Sequence, residues 1–169
     1  MNKNSMAAQS IVLAALLAVS VLSHAQAQKG QLRNEFTGKS KCLDIVNDGK
    51  NNRLAMGQCG DYSGQEWIMT ATKEPGYSRM QTEFTGSGKC LDIINDGKNN
   101  RLTMDNCADA TGQFWSVELL RDQPGRARLR NMFSGKDNCL DIVNDGKNNM
   151  VTMAKCGDFT GQFWSLGAK

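Results

Sequence analysis

The sequence predicts an all-β domain of about twelve strands, built as three copies of one unit and closed with pseudo-three-fold symmetry. Three observations lead there. A segment recurs in near-identical form: Phe36 to Trp67 reads FTGKSKCLDIVNDGKNNRLAMGQCGDYSGQEW, Phe84 to Trp115 reads FTGSGKCLDIINDGKNNRLTMDNCADATGQFW, and Phe133 to Trp164 reads FSGKDNCLDIVNDGKNNMVTMAKCGDFTGQFW. Inside each copy, apolar residues alternate with polar or small ones, as at Leu43 and Ile45 and again at Leu54 and Met56, the period of a half-buried strand. The three copies are alike, and no atypical unit is present to cap the ends of an open array, so closure is favoured over a solenoid.

The chain opens with a segment that does not belong to this pattern. Lys3 gives a short basic region, Ile11 to Leu22 is an almost unbroken apolar run, and Ala25-Gln26-Ala27 is an A-x-A cleavage pattern. Residues 1–27 read as a secretory signal peptide, with an apolar run too short to span a bilayer. The remaining residues 28–169 make one domain, with repeats at about 31–73, 78–121 and 127–167. Equivalent residues are spaced 48 and then 49 apart, as in Cys42, Cys90, Cys139 and in Trp67, Trp115, Trp164.

Each repeat is expected to start with a strand, at residues 31–36, 78–84 and 128–133. A hairpin follows, whose turn Asn47-Asp48-Gly49-Lys50-Asn51-Asn52 is rich in residues that tolerate positive φ. Asp48, Asp96 and Asp145, each before a glycine, are expected to cap these turns by accepting backbone hydrogen bonds. A last strand begins at each tryptophan, at residues 67–70, 115–119 and 164–166. Pro75-Gly76 and Pro124-Gly125 mark exposed turns between copies. Trp67, Trp115 and Trp164, each preceded by Gln65, Gln113 or Gln162, read as structural core residues, as do Phe36, Phe84 and Phe133.

A hairpin symmetric about the midpoint of Lys50 and Asn51 sets Cys42 opposite Cys59, at a separation suited to a disulfide. The expected pairs are Cys42–Cys59, Cys90–Cys107 and Cys139–Cys156; a cyclic scheme starting with Cys59–Cys90 also respects the symmetry but lacks the hairpin geometry. Each such bridge closes a loop worth about 3 kcal/mol in the chain-entropy model. The same register sets Asp44 opposite Gly57, Asp141 opposite Ala154, and Asp92 opposite Asp105, two like charges that should either repel, with solvent relieving the repulsion, or share a cation.

Charge and composition exclude several functions. Without Lys3 there are 19 basic against 17 acidic residues, a net charge of +2 that is too small and dispersed to argue for nucleic acid. The sole histidine, His24, lies in the leader, so the mature chain has no imidazole for a Ser-His or Cys-His nucleophile or for a metal. Six cysteines in an exported chain read as three disulfides, and no C-x-x-C occurs. The D-x-x-N-D-G run is not a calcium loop, because its third position is Val46, Ile94 or Val143.

Three copies of C-L-D-I-x-N-D-G-x-N-N, a second cysteine and then G-Q-x-W together resemble the ricin-type β-trefoil lectins, and the resemblance covers essentially all of residues 28–169. It implies a β-trefoil of three repeats of about 48 residues, a within-repeat disulfide, and sugar binding through the Asp two residues after the first cysteine: Asp44, Asp92 and Asp141. A carboxylate there can accept two hydrogen bonds from neighbouring hydroxyls. The chain departs from the family twice in every repeat. The stacking aromatic two residues before the second cysteine is Gly57, Asp105 or Ala154, and the Asn before the Gln is Gly64, Gly112 or Gly161. Tyr62 and Phe159, three residues after the second cysteine, either replace the lost platform or cap the core; repeat two has Ala110 there. The repeated Lys50-Asn51-Asn52 tip reads either as a trace of duplication or as a surface for a polar or anionic glycan.

The expectation is a secreted (extracellular or periplasmic), non-catalytic carbohydrate-binding module with up to three sites and no cofactor or metal. Its partners would be glycans or glycoconjugates, including those of cell surfaces, with no nucleic acid and no membrane insertion. The alternative is a protein-binding β-trefoil, such as a secreted protease inhibitor or a toxin-targeting subunit.

Overall fold

A computed structural model describes residues 27–167, so the leader read over residues 1–27 lies, apart from Ala27, outside the described residues. The described residues form twelve strands. Repeat one supplies β1 (Gln28–Asn34), β2 (Lys41–Ile45), β3 (Leu54–Gln58) and β4 (Trp67–Ala71). Repeat two supplies β5 (Ser78–Thr82), β6 (Lys89–Ile93), β7 (Leu102–Asn106) and β8 (Trp115–Leu119). Repeat three supplies β9 (Ala127–Asn131), β10 (Asn138–Ile142), β11 (Val151–Lys155) and β12 (Trp164–Gly167). A three-residue 3-10 turn precedes each tryptophan strand, at Ser63–Gln65, Thr111–Gln113 and Thr160–Gln162.

The first and last strands of each repeat close a barrel. Strand β1 pairs with β4, β4 with β5, β5 with β8, β8 with β9, β9 with β12, and β12 returns to β1, every pair antiparallel. The ring has no free edge, which removes the template for edge-to-edge aggregation. The middle strands form the hairpins β2–β3, β6–β7 and β10–β11, wired to one another around the pseudo-three-fold axis. The amide of Met56 donates to Asn149 O at 2.7 Å, that of Met104 to Asn52 O at 3.0 Å, and that of Met153 to Asn100 O at 2.9 Å. The K-N-N tip thus has a structural use: its last carbonyl locks each hairpin to the next.

The core repeats in layers. Leu32, Met80 and Leu129 form one set, Leu43, Leu91 and Leu140 a second, and Trp67, Trp115 and Trp164 a third, all at most 2 % exposed. Each indole Nε1 donates to the carbonyl of that core leucine: Trp67 to Leu43, Trp115 to Leu91 and Trp164 to Leu140, at 2.8–2.9 Å. The layer breaks once. Met69 is buried, but its equivalents Val117 and Leu166 are not, and a cavity of about 390 Å³ opens at that place in the barrel.

Three expectations need correction. The hairpins are shifted by two residues from the symmetric register: Cys42 lies opposite Gly57 and Asp44 opposite Ala55, and likewise Asp92 faces Thr103 and Asp141 faces Thr152. The supposed Asp92–Asp105 repulsion is therefore gone, since Asp105 lies opposite Cys90 and is exposed. The disulfides nevertheless close within repeats, because a diagonal offset still leaves Cα atoms 5.0 Å apart in Cys42–Cys59, Cys90–Cys107 and Cys139–Cys156. Finally, Phe36 and Phe133 are exposed and Phe84 is only partly buried, because the strands before them end at Asn34, Thr82 and Asn131 and the chain turns outward.

Candidate functional site

Asp44 sits near the end of β2, half-buried, with both oxygens engaged from the protein side. Oδ1 accepts from the Ile45 amide at 2.7 Å and Oδ2 from Gln65 Nε2 at 2.8 Å. Gln65, fully buried, also donates to Gln58 O and accepts from the Gly60 amide, so it fastens the carboxylate to the second hairpin strand and the loop beyond. The same network recurs at Asp92 with Gln113 and at Asp141 with Gln162. Each carboxylate oxygen uses one acceptor position on the protein and retains another. A fixed acceptor pair of this kind suits two adjacent hydroxyl groups.

The glycine before each Gln has a steric reason. A Cβ on Gly64, Gly112 or Gly161 would overlap the Oδ1 of Asp44, Asp92 or Asp141. The family's Asn is thus replaced by an open backbone on which the carboxylate rests.

In repeat one a cleft of about 290 Å³ lies over this carboxylate, lined by Asp44, Asn47, Asp61, Tyr62, Ser63 and Phe84. In repeat three the matching cleft, about 390 Å³, is lined by Asp141, Asn144, Asp158, Phe159, Thr160 and Phe36. Tyr62 and Phe159 are 59 % and 61 % exposed, so they do not cap the core. Their rings are seated over glycines: a Cβ on Gly60 would strike the Tyr62 ring, and one on Gly157 the Phe159 ring. Repeat two has Ala108 and Ala110 at these two positions. Room for the ring and the ring itself are present together or lost together.

The opposite wall comes from a different repeat. Phe84 opens repeat two yet lines the repeat-one cleft, and Phe36 opens repeat one yet lines the repeat-three cleft. Hydrogen bonds to the neighbouring copy's backbone fix this placement, with the Phe84 amide donating to Ser63 O at 3.2 Å. In the other case Asn34 Nδ2 donates to Gly161 O at 2.7 Å, beneath the Phe159 turn. Reading each repeat by itself hides these residues; the closed ring brings the start of one copy beside the 3-10 turn of the previous one. Asn47 and Asn144 could have been noticed from their place just after the hairpin strand.

Repeat two differs by one added cation as well as in aromatic content: Asp158 of repeat three pairs with Arg128 at 3.4 Å, as Asp109 pairs with the equivalent Arg79, and Lys73 joins in repeat two. Asp109, equivalent to Asp61 and Asp158, is held by Lys73 at 2.9 Å and Arg79 at 2.6 Å. The hydrogen bond from Lys73 holds its carboxyl below the usual carboxylate range. Among the described residues no group of three or more His, Cys, Asp or Glu side chains is placed to hold a metal ion. Nor is any helix among them long and apolar enough to cross a membrane.

Comparison with known proteins agrees with this layout. The family model for the ricin-type beta-trefoil lectin domain matches residues 28–116 and 76–169. Curated protein sequences give no match. Among solved structures, the designed 3-fold symmetric protein ThreeFoil is 20 % identical with a TM-score of 0.68, covering 83 % of this chain and 99 % of that one. The Macrolepiota procera ricin B-like lectin, solved in complex with lactose, is 16 % identical with a TM-score of 0.68, covering 84 % and 96 %. SeviL, solved bound to asialo-GM1 saccharide, is 20 % identical with a TM-score of 0.63, covering 83 % and 96 %. At these identities the structures speak to the fold, while the family model spans both halves of the domain: the chain belongs to the ricin-type β-trefoil lectin domain family.

Proposed function

We propose that the chain is a secreted, non-catalytic glycan-binding module whose working sites are the clefts of repeats one and three. The observation that carries this reading is the pairing, in those two clefts alone among the repeats, of a fixed carboxylate with a loop aromatic: Asp44 with Tyr62, and Asp141 with Phe159. The carboxylate would accept from sugar hydroxyls while the ring covers an apolar sugar face. Asp92 keeps the acceptor without the ring, so its site is weaker. Lectins bound to saccharides among the structural neighbours, and three disulfides of the kind that persist in oxidising compartments, support the reading.

Shallow single sites of this kind bind on the order of millimolar, about −4 kcal/mol, and two on one rigid body gain avidity on a multivalent surface. A glycan array probed with the oxidised protein tests the proposal. Binding to a defined set of glycans, competed by the free sugar, is expected. Binding to glycoproteins that no free sugar competes would instead support a protein-binding role, as an inhibitor or a targeting subunit.

A further inference from the structure

Where the three hairpins meet on the pseudo-three-fold axis they leave a cleft of about 600 Å³ that belongs to none of the repeat sites. Its apolar lining, Val46, Leu54, Ile94, Leu102, Met150 and Val151, comes from all three copies, and every one of these side chains keeps some solvent exposure. Met150 is 49 % exposed. The charged residues that line the same cleft are Arg53, Arg101, Lys147 and Asp145.

The two arginines are set in place. Arg53 donates through Nε to Asp48 Oδ2 at 2.9 Å and its Nη2 lies 2.8 Å from the same oxygen. Arg101 approaches Asp96 Oδ2 in the same way, at 2.8 and 2.6 Å. Both aspartates are themselves fixed by the backbone amides of the turn. Among the described residues each guanidinium retains its Nη1 edge without a protein partner, and the side chains are 67 % and 64 % exposed. A planar donor edge held in one orientation is suited to a carboxylate or sulfate.

Repeat three breaks the symmetry: Met150 stands where the other copies have arginine, and Asp145 has no arginine to answer it. Charge is therefore uneven around the cleft. Across the three tips Lys50, Lys98, Lys147, Arg53 and Arg101 face Asp48, Asp96 and Asp145, leaving +2, and on the Met150 side Asp145 and Lys147 line the cleft together.

We infer that this axial cleft binds a small amphipathic anion, with its charged head on Arg53 and Arg101 and its apolar body over Met150, Leu54 and Leu102. Lys147 also lines the cleft, but only the arginines offer a planar donor edge held in place, and the body covers apolar side chains otherwise left in water. The inference is independent of the glycan reading.

The test is an amide NMR titration of the intact protein with decanoate below its micelle concentration, alongside acetate and a neutral decyl tetraethylene glycol ether. One decanoate should bind per chain, with shifts gathered at residues 46, 53–54, 94, 101–102 and 149–151. Acetate, the neutral ether, and decanoate on an Arg53→Gln/Arg101→Gln variant should each bind at least about tenfold more weakly. The variant retains the fold, because exposed ion pairs contribute little to stability, and its own amide spectrum verifies this. Equal binding of decanoate and the ether, unchanged binding by the folded variant, or shifts gathered at Val117 and Leu119 of the barrel would overturn the inference.

Discussion

Asp44, Asp92 and Asp141 each serve two purposes, and mutation will expose both. Removing Asp44 leaves the buried Gln65 amide with only Gln58 O as acceptor. Asp44→Ala should therefore cost about 1–3 kcal/mol of stability as well as binding. The aromatics separate the two effects. Tyr62→Ala and Phe159→Ala remove exposed rings, so the melting temperature should hold while affinity at each site drops about five- to tenfold, the worth of a lost aromatic–sugar stack. Gly60→Ala offers a finer check: the added methyl must displace the Tyr62 ring without removing it, and sugar affinity should fall toward that of Tyr62→Ala. Glycan-binding isotherms with a thermal melt on each variant would decide the matter. At this scale the sequence shows the carboxylates and the loop aromatics through their spacing from the cysteines. It hides Phe36 and Phe84, whose partners lie in another repeat.

The hairpins carry the next set of consequences. Thr103 Oγ1 donates to Asn52 O at 3.3 Å and Thr152 Oγ1 to Asn100 O at 2.9 Å, reinforcing two of the three inter-hairpin locks. Repeat one has Ala55 at that position, so its lock is the backbone bond from the Met56 amide to Asn149 O. Ala55→Thr should complete the set and raise stability by about 0.5–1.5 kcal/mol in denaturant titrations. The turns also respond to acid. The Asn51 amide, then Arg53, hold Asp48 below the usual carboxylate range, and the Asn99 amide with Arg101 does the same for Asp96. A carboxyl depressed in the folded state stabilises above its unfolded pKa, near 4, and that contribution is lost as pH falls through the folded value. Stability should thus decline below about pH 4, and by less in an Asp48→Asn/Asp96→Asn variant. Hairpin existence and disulfide partners are legible in the sequence because turn chemistry and the equal spacing of the cysteines point the same way. The register is not: a shift of two residues preserves which side chains share a face, so the alternation pattern cannot distinguish the alternatives.

For the whole molecule, closure is the property on which the rest depends. Six strands from three copies make one barrel, and one tryptophan from each copy fills its core. Trp115→Ala should cost about 3–5 kcal/mol, since it empties a fully buried site and frees the Leu91 carbonyl. Three-fold closure is readable from copy number and likeness, yet the inequality of the copies is equally plain in Ala108 and Ala110, where the others carry Gly60 with Tyr62 and Gly157 with Phe159. Whether glycan binding belongs to repeats one and three is decided by an amide NMR titration with a monovalent sugar identified on the array. Two sites per chain are expected, with shifts gathered around Asp44 to Asn47 and Tyr62 in one and Asp141 to Asn144 and Phe159 in the other. A dominant site around Asp92 and Ala110, or shifts that avoid all three carboxylates, would contradict that expectation.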